Sequence, residues 1–155
     1  HLLYCDWANR DSLLVTKDVF LRDLNTNYQE MLKFGIHRVD ARYFMPPYEW
    51  YNDSISTWTH EAVLQLVNFT PGNRSNADYT TPEMNNYRSS DLIYDSIINF
   101  EQKSGMNGFH LLIHPGVHSN RKDKFYYRLP ELIEYFQSKG YHFKSFENYS
   151  ISKDD

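Results

Sequence analysis

Four stretches with helical spacing alternate along this chain with short runs of strand character, and that alternation restricts the folds open to it. Thr16 precedes KDVFLRDLNTNYQEMLKFG, where Phe20, Leu24, Tyr28, Met31 and Leu32 recur at three- and four-residue spacing and Gly35 takes the place of a C-terminal cap. RVDARYF follows as a strand candidate, stopped by Pro46-Pro47, which cannot continue a ladder. A second helix is predicted from Ser56 to Leu66, followed by the short run LVNFT. The segment PGNRSNADYTTPEMNNYRSS is polar and punctuated by Pro71, Gly72 and Pro82; a loop of this length inside a compact domain is usually functional or disordered. A third helix is expected from Ser89 or Ser90 to Gly105, and a fourth has Pro130 in its first turn and Gly140 as its stop. Between these two lies the apolar run HLLIH, and after the fourth YHFKSF alternates like a strand. Strands alternating with helices predict βα units, so the expectation is an α/β fold with largely parallel strands, a single domain over 1–155.

Composition supports a folded domain and removes some partners. The chain is 41% hydrophobic and 17% aromatic, enough to bury a core. A net charge of -4 with no basic run argues against nucleic acid as a partner. The longest apolar run is far below the ~20 residues that cross a bilayer, so no membrane span is expected. Cys5 is the only cysteine, which excludes an intrachain disulfide. Asn-x-Ser/Thr tripeptides occur at Asn52, Asn68, Asn73 and Asn148, but in an asparagine-rich chain the tripeptide alone does not establish glycosylation.

The stretch HLLIHPGVHS holds three histidines at four-residue spacing. On a helix this spacing would put two imidazoles on one face and make a chelate. Gly105 and Gly108 before the run and Pro115 after it favour a buried strand instead. In a strand His110 and His114 stand roughly 13 Å apart and cannot share an ion. His114 then closes a strand ahead of a Pro-Gly turn, the end of a parallel sheet where reacting groups gather. A core-edge role for His114 is the competing reading, and His110 and His118 read as structural or surface residues.

LLIHPG followed by RLPELIEYFQSKGYHFKSF closely resembles the closing segment of the polysaccharide deacetylase family, in which an apolar strand ends in a histidine and a helix follows a Leu-Pro step. ARYFMPPYEWYN is similar to the family's third motif, and HLLYCDW resembles the segment behind its metal-binding His-x-x-x-His pair. The resemblance spans nearly the whole chain in order. It implies part of a distorted (β/α) barrel, a C-terminal portion of a catalytic domain whose first strands precede His1. It also implies a metal-dependent hydrolase that removes acetyl groups from N-acetylated sugars, with a divalent cation, usually zinc. On this alignment His1 matches a metal ligand and His114 the general acid that protonates the leaving amine. The chemistry suits these types: a metal polarises the carbonyl and acidifies water, and an imidazole titrates near neutrality. Extracytoplasmic or secreted localisation follows from the resemblance alone.

The chain departs from the family pattern at several places. Met45 stands where the family has arginine, Glu49 where it has glycine, and the fourth motif, an aspartate pair before tryptophan, is missing. In the family the arginine orients the base aspartate and the fourth-motif aspartate holds the arginine. Arg42 lies an odd number of residues from Met45 and would point to the other face of a strand. Arg74 or Asp78, on the long polar loop, is a candidate replacement charge.

Tyr4, Trp7, Tyr48, Trp50 and Tyr51 cluster in the two segments expected near the reactive face. Aromatic rings of this kind stack on pyranose rings, so Trp7, Pro47, Tyr48 and Trp50 are the candidate carbohydrate-binding residues; packing at a barrel end is the alternative. Two further functional readings remain open at this point. One is a non-catalytic carbohydrate-binding module on a degenerate deacetylase scaffold; the other is an α/β domain whose resemblance has no functional content.

Overall fold

A computed structural model describes residues 2–146 of the chain. It divides into two compact units, His1–Asn68 and Phe69–Asp155.

In the first unit, α1 (Lys17–Leu32) begins where the side chain of Thr16 accepts the Val19 N–H, as its sequence position predicts. Its buried stripe is Phe20, Leu24 and Tyr28. Gly35, at φ 76, ends it: the Ile36 N–H returns to the Met31 carbonyl across a left-handed residue. Strand β1 (Tyr43–Phe44) pairs in parallel with β2 (Gln65–Leu66), and α2 (Asp53–Glu61) lies between them in sequence. The core gathers on Phe20, whose ring meets Tyr4, Phe44 and Trp58 at centroid distances of 5.2, 5.8 and 5.9 Å. Burial and the hydrogen bond to Asp23 push the Tyr4 hydroxyl well above the ordinary phenol range. Cys5 is fully buried here.

In the second unit, α3 (Ser90–Ser104) starts at Ser89, whose hydroxyl accepts the Leu92 N–H, and α4 (Leu129–Ser138) carries Pro130 in its first turn. Their apolar stripes, Ile93 and Ile97 from α3 and Leu132 and Phe136 from α4, close on Phe125 and Met106. Leu111 and Ile113 pack against this cluster.

The expected barrel is not formed. Among the described residues the sheet is two parallel strands of two residues each, so the (β/α) barrel is set aside. The apolar runs predicted as strands show why. In RVDARYF only Tyr43 and Phe44 find a ladder, and neither HLLIH nor 141–146 belongs to a strand. Leu111 and Ile113 of HLLIH still pack against the helix cluster; the backbone of the run, however, bonds to side chains of the distant polar loop rather than to a strand, His110 N–H to the Thr70 hydroxyl and His114 N–H to Asp78. Apolar alternation supplies a face to bury, whereas a strand also needs a backbone partner. The second helix begins at Asp53 rather than Ser56 and stops at Glu61, with Gln65 and Leu66 passing into β2. No helix among the described residues is long and apolar enough to cross a membrane.

Candidate functional site

In the second unit, the long polar loop, expected from sequence to be functional or disordered, folds back on His114. Its entry is fixed by Gly72, φ 129, where an added Cβ would stand 2.5 Å from Phe100 Cε2, so only glycine lets the loop approach α3 this closely. Asn73 accepts the Ser75 N–H in a short side-chain turn, Arg74 takes a left-handed φ of 62, and a 3-10 turn runs over Ser75–Tyr79. This turn packs on α3 and presents Asp78, only 1% exposed. Asn73 Nδ2 and Ser75 Oγ are buried with no hydrogen-bond partner among the described residues.

Asp78 grips His114 at two points. Its Oδ1 lies 2.6 Å from His114 Nδ1, and its Oδ2 accepts the His114 backbone N–H at 2.7 Å. A buried carboxylate needs such donors, and here both come from one residue, so ring and backbone are fixed together. The imidazole is 31% exposed, and its ring meets that of Tyr79 edge-on at 5.6 Å. An imidazole that donates from Nδ1 to a carboxylate exchanges its proton at Nε2. The arrangement is therefore an oriented acid–base group at a partly open position. His114 is the residue singled out by sequence. Asp78 was one of two candidates for a replacement charge, and the structure assigns it to the histidine; Arg74 instead caps the turn as a left-handed residue.

The aromatic candidates come together in the first unit. Pro47–Glu49 is a 3-10 turn in which Tyr48 and Glu49 both hold positive φ, 60 and 57, a conformation that favours glycine. The Asn68 side-chain amide donates to the Glu49 carbonyl and steadies it. Tyr48 is thereby displayed at 51% exposure beside Trp7 at 57%, the rings 5.7 Å apart and close to edge-on. Trp50 plays a different part. It is half-buried with its indole N–H on the Asp6 carbonyl, Trp7 at 5.5 Å and the Arg10 guanidinium 4.4 Å above its ring. Trp50 and Arg10 form the base, and Trp7 and Tyr48 the accessible faces. Pro47 and Met45 line a neighbouring cavity of about 390 Å³ with Asp23, Tyr28 and Tyr43.

A metal centre was expected with His1 as one ligand; His1 lies outside the described residues. Among the described residues no group of three or more His, Cys, Asp or Glu side chains could hold an ion. His110 is paired with the ring of Phe146 at 5.1 Å, and His118 Nδ1 accepts the Asn120 N–H, structural roles for both.

Sequence reasoning missed one buried side chain of this unit altogether. Arg121 is fully buried, bonded to the Thr80, Arg88 and Asp123 carbonyls and the Ser90 hydroxyl. It sits in the polar string NRKDK, which reads as solvated surface, and no spacing rule marks it.

No family model, curated protein or solved structure matches this chain.

Proposed function

We propose that this chain belongs to a hydrolase that removes acetyl groups from N-acetylated sugars, with His114 as the proton-transfer residue and Asp78 as its orienting partner. The observation that carries the reading is the two-point grip of a buried carboxylate on a partly exposed imidazole at the end of HLLIH. In amide hydrolysis water adds to the carbonyl carbon and the C–N bond breaks. The departing amine takes a proton from the imidazolium, acetate is released, and the proton lost by water restores the imidazolium. Asp78 keeps Nδ1 engaged, so that exchange is confined to Nε2. A polysaccharide substrate is supported by Trp7 and Tyr48, whose exposed rings offer flat apolar faces to a pyranose. A divalent cation, zinc, with His1 among its ligands, is part of the proposal through the family resemblance. The described residues alone do not supply a ligand set, and no step is routed through the ion.

The test is amine release from N-acetylglucosamine oligomers by the full-length protein, with metal content followed by elemental analysis. His114→Ala is expected to abolish release while bound metal is unchanged. Undiminished turnover in that variant refutes the assignment.

A second reading, a carbohydrate-binding module without turnover, is favoured by one observation: Met45, apolar and 39% exposed, occupies the position of the family's arginine. Saturable oligosaccharide binding with no amine released would select it.

A further inference from the structure

We infer that Arg121 is the positioning residue of the His114–Asp78 pair. A guanidinium withdrawn completely from water is unfavourable unless its donors are matched, and here each nitrogen is used. Nη1 donates to the Thr80 carbonyl at 2.7 Å and the Arg88 carbonyl at 3.0 Å, Nη2 to Ser90 Oγ at 3.1 Å, and Nε to the Asp123 carbonyl at 3.1 Å. The planar fork thereby joins three separate pieces of chain: the end of the polar loop, the first residue of α3, and the 118–124 segment. A lysine ammonium has neither the reach nor the fixed geometry to serve all of them.

Two of these attachments bear on the dyad. Thr80 stands two residues after Asp78 and is itself the clasp of the Asp78 turn, since its N–H and its hydroxyl both donate to the Ala77 carbonyl. Its hydroxyl also accepts the Arg88 N–H. Holding the Thr80 carbonyl therefore holds the downstream end of the turn that aims Asp78. On the other side, the Arg121 N–H donates to the His118 carbonyl at 3.1 Å, closing the loop that leaves His114 through Pro115 and Gly116. The Asp78 side of the pair is thus reached through backbone that the guanidinium fixes and the His114 side through the main chain of the same residue, while Arg121 itself contacts neither of their side chains among the bonds described. A cation with only a packing role would need acceptors of any origin; here the Thr80 and Asp123 carbonyls lie on the two chain segments that must keep register for Asp78 to meet His114, and Ser90 ties both to α3.

The reading rests on the dyad as reaction centre for its functional meaning, but its test does not use turnover. In the full chain labelled with ¹⁵N, the His114 backbone N–H and imidazole Nδ1–H report the two bonds to Asp78, and the amides of Ile97 and Leu132 report α3 and α4. Arg121→Gln is expected to lose the Nδ1–H signal and to exchange the His114 amide about tenfold faster, with Ile97 and Leu132 still protected. Arg121→Lys should recover part of the effect. An unchanged His114 signature in a folded Arg121→Gln protein overturns the inference. If Arg121→Gln strips protection from both helices as well, Ser90→Ala decides, because Ser90 touches the guanidinium and neither dyad side chain. A shifted His114 signature in Ser90→Ala supports the coupling, and an unaltered one overturns it. Full turnover in His114→Ala would remove the hydrolase reading and leave this coupling measurable, so the two failures are distinct.

Discussion

The phenol of Tyr79 stands edge-on to the imidazole of His114, one residue along from the carboxylate that holds that imidazole in place. Turn and histidine thus meet three times, through the two hydrogen bonds of Asp78 and through a ring. Orientation comes from Asp78, and Tyr79, 46% exposed, shields one side of the imidazole.

Asp78→Asn keeps the shape of the side chain but loses the acceptor pair. Turnover is expected to fall by about 10²–10⁴-fold, the range typical of a disabled acid–base residue. Tyr79→Phe should remain within about threefold of the parent, because its ring contact survives. Initial rates of amine release check both; equal losses would show that orientation by Asp78 is not the controlling factor.

Trp7→Ala and Tyr48→Ala remove the accessible faces of the aromatic cluster while Trp50 and Arg10 stay in place. Each should weaken binding of N-acetylglucosamine oligomers by about fivefold, in keeping with about 1 kcal/mol for a ring contact, at unchanged melting temperature. Titration calorimetry reads the first quantity and a thermal melt the second.

Asp123 provides a pH signature. Although burial raises its carboxyl, the Ser90 N–H, the Tyr87 hydroxyl and Arg121 together hold it below its ordinary value of 3.8. A carboxylate with a depressed folded value stabilises fully above the unfolded value and loses that contribution as pH falls through the folded one. Asp123→Asn should therefore be less stable than the parent near neutrality, and the gap in urea midpoints should close below about pH 3.8. A gap independent of pH would mean the ionised form makes no special contribution.

Glu49→Gly replaces a left-handed glutamate with the residue that tolerates such a φ. Stability is expected to rise by about 1 kcal/mol, seen as a higher urea midpoint with an unchanged slope.

The helices were legible because each announces itself locally. Thr16, Gly35, Ser89, Pro130 and Gly140 are end signals read from a few neighbours, and all of them stand at or beside observed ends. Asn52 was the missed cap: its side chain accepts the Ile55 N–H and starts α2, whereas in sequence it stood out only as part of a tripeptide. The barrel was not legible because ladders are long-range bonds, and Leu111 and Ile113 alternate correctly without one. At the site, His114 could be found from its place after an apolar run and before Pro-Gly. Its union with Asp78 across 36 residues, and the burial of Arg121 in a polar string, follow from tertiary packing that no periodicity encodes.

The side-chain amides of the asparagines in Asn-x-Ser/Thr tripeptides are engaged or buried among the described residues. Asn52 Nδ2 donates to the Arg10 carbonyl, Asn68 Nδ2 to the Glu49 carbonyl, and Asn73 is 1% exposed; Asn148 lies outside the described residues. Nδ2 is the nitrogen an oligosaccharide would occupy. A sugar tree at Asn73 would need its buried Nδ2 in solvent, so carrying one there and closing the turn exclude each other.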